Sequence, residues 1–462
     1  MGTRRCDDLP GNLLALRPQM SQLVLLASVP TSRYNSSKLR QDQVDLFRGG
    51  PFLLVNGKES GILTNEQDVH LGGKRPLGYE YWPLPEDDPG VELHRESIRT
   101  VAPDGGLARG LIWTPPNGKW KTAIVMSHPR ADFSVHYAAP LLAAAGYAVC
   151  GFGSRYMNND TDCIQESAAL DVKMMAEEMR RRGAEAIVLV GNSGGGPLTA
   201  LAQSLFGIGD GWVGLAASRG EGAFMIERID PSVADENDPF STIPELDMFN
   251  PDNGWRPWPE PCVYDHEWLK VYRAAQVARM ERLDAIAKES IKFSEEATKA
   301  AADIDPAKDP GGWQRQRSRA VWNKYMVIYR TLADPAYLDL SIDPDDRPMG
   351  SLFAHPDPMV SNYRRNGVSR SMTARGWLST WSGLSTNARM DRLMPKMTIP
   401  SLVLHPSGDT EIRIRDSEAN FNENGAEDKS FVTMKGAPHY LEGHRPESMA
   451  VVADWLDKRF PK

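Results

Sequence analysis

Gly191-Asn192-Ser193-Gly194-Gly195 sets a serine between glycines, directly after the apolar run Ala186–Val190 and before a helical stretch starting near Gly196. On such a tight strand-to-helix turn the hydroxyl is pushed out at the carboxyl edge of a sheet. The flanking glycines are required because a side chain there would collide with neighbouring backbone, and the helix N-terminus favours developing negative charge. A serine hydroxyl is a weak nucleophile at neutral pH and needs a base, itself oriented by an acid. His439 lies in Lys435-Gly-Ala-Pro-His-Tyr440, just after the apolar run Ser430–Met434. Asp409 lies in Pro406-Ser-Gly-Asp409, just after Ser401–His405. If these runs are parallel strands, Ser193, Asp409 and His439 leave the same edge in that chain order. The chemistry they would perform is acyl transfer.

Rival residues exist for each role. His444 precedes Arg445-Pro446 at the start of the last helical stretch and reads as a surface or capping residue. Glu411 and Asp416 lie in or near the helix after Asp409 and read as solvated. Glu221 follows the sixth predicted strand and is an alternative position for the acid. Asp409 and His439 are preferred. An acyl oxyanion needs two backbone donors. The N–H of Gly194 is one candidate. The loop after Ala123–Ser127 reads His128-Pro129-Arg130-Ala131, and Pro129 has no N–H, so Arg130 is the other. His128 reads as a structural histidine that holds this loop by hydrogen bonds. The Arg130 side chain could bind a substrate carboxylate or pair with Asp132 or another acid.

The elements that must position these groups follow from periodicity. Residues 93–127 read as an opening β meander, with Leu93–Ala102 and Leu107–Pro115 flanking Pro103-Asp104-Gly105-Gly106, a tight-turn sequence. Thr122–Ser127 is a continuous apolar run, as for a strand buried on both faces. Helix Tyr137–Ala145, strand Tyr147–Phe152, helix Ile164–Arg182, strand Ala186–Val190, helix Gly195–Phe206 and strand Gly211–Ala217 follow. This alternation predicts an α/β fold, a mostly parallel sheet with helices on both faces. It stops from 224 to 396, where long helical patterns at Glu267–Ala301 and Trp313–Ala333 stand among Pro, Asp and Trp. The alternation resumes with Ser401–His405, Ile412–Asn424, Ser430–Met434 and the closing helix Pro446–Phe460. Four segments are expected: an irregular arm (1–90), a first core part (91–223), a helical cap inserted after the sixth strand (224–396) and a second core part (397–462). A cap of this kind excludes water and shapes the pocket. Among its aromatics, Trp377 and Trp381 are candidate substrate contacts for an apolar or aromatic compound.

Composition narrows the classes. The chain has 462 residues, 41% hydrophobic and 25% charged, with 53 Lys and Arg against 61 Asp and Glu for a net charge of −8. That is an ordinary globular balance, and an acidic chain is a poor nucleic-acid binder. The 4 cysteines, Cys6, Cys150, Cys163 and Cys262, are too few for a disulfide framework and suggest a reducing, cytoplasmic setting. No apolar run is long enough to span a bilayer. Arg17 and Gln19 interrupt the N-terminal apolar patches that a cleaved signal would need unbroken. Asn56-Gly57-Lys58-Glu59 lacks the Ser or Thr of a phosphate loop, and Gly151–Tyr156 ends in Tyr156 where a dinucleotide fingerprint has glycine. No zinc-type spacing occurs, so no metal is expected.

Taken in order, His128-Pro129, Gly191-Asn-Ser-Gly-Gly195, Asp409 and His439 resemble the α/β-hydrolase superfamily, of the serine esterase or lactonase kind. The resemblance covers 93–223 and 397–462. It implies an acyl-enzyme on Ser193, His439 as base and then acid, and hydrolysis without a cofactor. Pro129, Asn192 and the long insertion depart from the commoner pattern. The expectation is a serine hydrolase acting on a medium-sized carboxylic ester or lactone. A diketone-type C–C hydrolase, an amidase or an acyltransferase is compatible with the same triad, and a non-catalytic binding protein is the remaining class. The expected partner is the small-molecule substrate, with a homodimer left open.

Overall fold

The computed structural model describes residues 80–353, 355–363 and 368–462, with the backbone of an antiparallel ribbon pairing Leu54–Val55 with Lys58–Glu59. The chain divides into two compact units, residues 1–65 and 66–462. Most of the expected arm, and Cys6, lie outside the described residues.

An eight-stranded sheet organises the second unit. Its strands are β1 (His94–Val101), β2 (Leu107–Thr114), β3 (Thr122–His128), β4 (Ala148–Gly153), β5 (Ala186–Asn192), β6 (Gly211–Leu215), β7 (Ser401–Pro406) and β8 (Lys429–Met434). Their spatial order is β8-β7-β6-β5-β3-β4-β2-β1. All pairings are parallel except those of β2, which is antiparallel to both β1 and β4. The expected meander is corrected here. β1 and β2 form a hairpin, but β4 stands between β2 and β3. β3 is buried along its whole length, so it needs a parallel neighbour on each side, and a helical crossover delivers β4 to one of them.

Apolar alternation along the buried strands feeds two cores. Ile187 and Leu189 face the layer of α2 (Gln165–Arg181) and α3 (Gly195–Phe206), packing with Val172, Met175 and Leu198. Val188 and Val190 face the layer of α1 (Ala138–Ala144), packing with Leu142 and with Leu456 of the C-terminal helix Arg445–Asp457. Both faces are therefore dry, which is why these strands read as unbroken apolar runs. Residues 80–90, assigned to the arm from sequence, are seated on this unit. Tyr81 packs on Phe133, and Asp87 Oδ2 lies 2.7 Å from Arg445 Nη1 with both side chains buried.

The segment between β6 and β7 starts with α4 (Glu221–Arg228) and carries α5 (His266–Ala302) and α6 (Pro310–Ala320). Asp265 caps α5 by accepting from the N–H groups of Glu267 and Trp268. The helical pattern expected at Glu267–Ala301 is present in α5, which buries Tyr272, Met280 and Leu283. The helix expected at Trp313–Ala333 is overturned. α6 begins earlier, where Pro310 follows the N-cap Asp309, and ends at Ala320. Beyond it Tyr325–Val327 pairs antiparallel with Ser371–Thr373, and Arg330 takes a positive φ of 55°. Strand pairing and the buried Arg330–Asp230 ion pair, 2.8 Å from Nε to Oδ2, outweigh a helical spacing that included β-branched residues.

Candidate active site

β5 runs straight into Ser193, which has φ 55°. A non-glycine residue in that region is strained and persists only when its surroundings over-determine it. They do so here. The N–H of Ser193 donates to the carbonyl of Leu215 on β6 at 3.1 Å, and its own carbonyl accepts from Gly196 and Ser218, each at 3.1 Å. A Cβ at Gly191 would stand 2.3 Å from the Gly195 carbonyl oxygen, and one at Gly195 would stand 2.3 Å from that of Ser127. Asn192 is structural: its amide donates to Leu215 O at 2.8 Å, and its Oδ1 lies 3.0 Å from His136 Nε2. His136 was not singled out from sequence. It is buried, it accepts from the N–H of Ala138 at Nδ1, and burial lowers its pKa to about 3.

Asp409 and His439 meet as expected. His439 Nδ1 donates to Asp409 Oδ2 at 2.6 Å, and both side chains are buried. Asp409 Oδ1 accepts from the N–H groups of Glu411 at 2.7 Å and Ile412 at 3.1 Å, so both carboxylate oxygens are satisfied. Burial opposes charging of His439, but the charge and hydrogen bond of Asp409 prevail and hold its pKa above the ordinary value. With Nδ1 engaged, Nε2 is the nitrogen left to act as a base. The Ser193 hydroxyl itself makes no hydrogen bond among the described residues. His444 sits at the start of the last helix, bonded to Glu447 at 2.7 Å, away from any such role.

On the opposite side, His128 Nδ1 accepts from the N–H groups of Arg130 and Ala131, each at 3.2 Å. This is the loop-holding role expected for His128, and it engages the Arg130 N–H proposed as an oxyanion donor. The Gly194 N–H, at the N-cap of α3, has no intrahelical partner. Burial and the neighbouring Arg130 push the His128 pKa well down. Glu221 lies beneath this corner, its Oε1 3.8 Å from His128 Nε2 and 3.7 Å from Arg130 Nε. Burial raises the Glu221 pKa against the opposing pull of Arg130. Glu221 therefore does not orient His439.

Ser193 and Arg130 line a cavity of about 310 Å³, with Tyr440 and the inserted residues Leu352, Phe353 and Val368 among its walls. Trp377 and Trp381 do not line it. Both are buried in the apolar core of the insert, where Trp377 Nε1 donates to Asp284 at 2.8 Å. Trp381 supports the Arg130 guanidinium at 5.0 Å. Their aromatic stripe is core, because indole rings fill the space between the insert's own elements. Glu411, read as solvated, is also corrected: it is 1% exposed.

A strained serine after the fifth strand now stands with an acid after the seventh and a histidine after the eighth, on a sheet ordered β8-β7-β6-β5-β3-β4-β2-β1. The chain has the α/β-hydrolase fold. Three similar solved structures are DcsB in complex with a substrate analogue, the α/β-hydrolase GrgF from Penicillium sp. sh18, and the esterase domain of a Rhodothermus marinus protein. DcsB shares 10% identity at a TM-score of 0.46, over 79% of this chain and 99% of its own. GrgF shares 12% at 0.45 over 80% and 99%, and the esterase domain 11% at 0.40 over 79% and 98%. At such values the likeness assigns no substrate or reaction to this α/β-hydrolase fold. No family model and no curated protein matches the chain. Among the described residues no group of His, Cys, Asp and Glu could hold a metal ion, and no helix is long and apolar enough to cross a membrane. Cys150, Cys163 and Cys262 are free and buried.

Proposed function

We propose that the protein is a serine hydrolase that cleaves a medium-sized carboxylic ester or lactone through an acyl-enzyme, without a cofactor. The observation that carries this reading is Ser193 held at φ 55° in the wall of the cavity while His439 is locked on Asp409 at 2.6 Å. In this mechanism Ser193 Oγ attacks the carbonyl carbon and His439 Nε2 accepts its proton. The carbonyl oxygen becomes an oxyanion facing the Gly194 N–H. The second donor is the Arg130 N–H, which exchanges its long bond to His128 for the oxyanion as charge develops. His439 then protonates the departing alkoxide. Water, deprotonated by the same nitrogen, releases the acid and restores Ser193. The hydrogen bond from the Ser193 hydroxyl to Nε2 is expected to form when substrate fills the cavity. Leu352, Phe353 and Val368 suit the apolar part of the substrate, while Asn158, Asn159 and Asp160 face its polar end.

A fluorophosphonate tests the nucleophile. Peptide mass spectrometry should find one adduct, on the peptide containing Ser193, and none in Ser193→Ala. A folded wild-type protein that stays unlabelled while the cavity is open to the probe would sink the reading.

A further inference from the structure

Asp409 is followed two residues later by a second buried carboxylate with a different set of partners. The backbone N–H of Glu411 donates to Asp409 Oδ1 at 2.7 Å, while its side chain turns away into the insert. Oε1 accepts from the N–H of Leu352 at 2.7 Å and from Ser351 Oγ at 3.1 Å, with Thr410 Oγ1 at 3.3 Å. Oε2 accepts from Tyr337 Oη at 2.5 Å and lies 3.7 Å from Arg228 Nε. Arg228 also donates to the Glu411 carbonyl at 2.5 Å and stacks 3.6 Å over Phe224, whose ring meets Phe353 edge-on at 6.0 Å. One residue thus bonds the triad acid through its backbone and three separate stretches of the insert through its side chain.

We propose that Glu411 is the fastening that sets the cavity wall Leu352–Phe353 against the triad and so selects the acyl chain the site accepts; this rests on reading the cavity as an ester or lactone site. The physical reason is directional. A buried carboxylate is tolerated only when its acceptor sites are filled, so the insert must present the Leu352 N–H, Ser351 and Tyr337 in one arrangement. Leu352 and Phe353 line the same cavity as Ser193, and that arrangement fixes how far they stand from the nucleophile. Apolar packing alone would allow this wall to slide, because it carries no preferred direction. Glu411 touches neither Ser193 nor His439 through its side chain, so it is a positioning residue.

Glu411→Gln keeps the volume and the backbone bond to Asp409 but removes the charge that Arg228 and Tyr337 face. Turnover of p-nitrophenyl acetate and octanoate would be compared in the full chain, with hydrogen exchange at the Leu352 amide followed in parallel. The expected result is an octanoate KM raised about tenfold, an acetate kcat altered less than about threefold, and Leu352 exchange faster by about tenfold. Equal effects on both esters, or unchanged Leu352 protection, would overturn the proposal. If wild type turns over neither ester, the ester reading fails, and the exchange measurement alone then judges the fastening. Should Glu411→Gln not fold, Tyr337→Phe removes the Oη contacts to Glu411 Oε2 and Arg228 Nε, and the same readouts should move in the same direction by about threefold.

Discussion

The sheet and its insert both have apolar cores, but the insert adds a denser set of buried ion pairs. Between α2, α3 and the strands lie side chains such as Val172, Leu189 and Leu198, with the buried Asp171 of α2 paired to Arg155 at 2.7 Å. Between α4, α5 and the loops that follow lie ionised groups. Asp334 is gripped by Arg273 at 2.5 Å and Arg413 at 2.8 Å, Asp230 pairs with Arg330, and Arg279 pairs with Glu236 at 2.7 Å. Apolar burial stabilises without preferring a direction. A buried ion pair adds little net stability, but it demands one geometry and punishes the loss of either partner. The difference teaches that the sheet, which carries Ser193, Asp409 and His439, rests mainly on apolar burial, while the insert adds directional pairs that fix how its irregular stretches lie.

That comparison can be broken at several points. Asp409→Asn leaves His439 without the acceptor that fixes its tautomer, and kcat should fall by about 10³–10⁴-fold with little change in melting temperature. A comparable rate in the Asn variant would mean that Asp409 does not orient His439 for catalysis. In the insert, Asp230→Ala should cost about 3–5 kcal/mol in a denaturant titration, and adding Arg330→Met should return part of it. Additive losses would mean that the pair is not the unit.

Acid should separate the two regions. The folded-state pKa of His136 is about 3 against an ordinary 6.5, so the unfolded chain binds the proton first. Its contribution is complete above pH 6.5, falls as pH drops below that value, and is fully lost only below about 3. Between pH 6.5 and about pH 5 the sheet unit should lose about 2 kcal/mol, and His136→Gln should flatten the slope. Asp334 behaves oppositely in range. Its two arginines overcome the cost of burial and hold its carboxyl well below the usual carboxylate values. Its contribution stays in place until pH falls below about 4. An insert that loosens at pH 6 by hydrogen exchange would contradict this order. The smallest effect is expected at Glu221→Gln, under about tenfold in kcat/KM, because Glu221 Oε1 is 3.8 Å from His128 and contacts no triad member.

The sheet and the turn at Ser193 were legible in the sequence for the same reason. Val188 and Val190 stand in a run that is apolar because both sheet faces are covered, and Gly191 and Gly195 are glycine because a Cβ at either would strike backbone at 2.3 Å. Such signals sit in a few consecutive residues. The errors fall where the cause is remote. Trp377 and Trp381 looked like pocket aromatics because nothing local distinguishes a wall from a core. The helix assigned to Trp313–Ala333 failed because Tyr325–Val327 found a strand partner far along the chain, Thr373 against Tyr325. Glu411 looked solvated because charge next to a helix usually is.

By itself, then, the sequence determined the alternation of strands and helices on either side of the insert, the tight glycine-flanked turn at Ser193, and the places of Asp409 and His439 after the seventh and eighth strands. These depend on steric rules and apolar periodicity that act within a few residues. Only the tertiary structure decided that β4 separates β2 from β3, that His136 braces Asn192, and that Leu352 and Phe353 line the same cavity as Ser193. Each of those depends on which distant partner satisfies a buried polar group or covers a buried strand, and a linear pattern of polar and apolar residues does not carry that information.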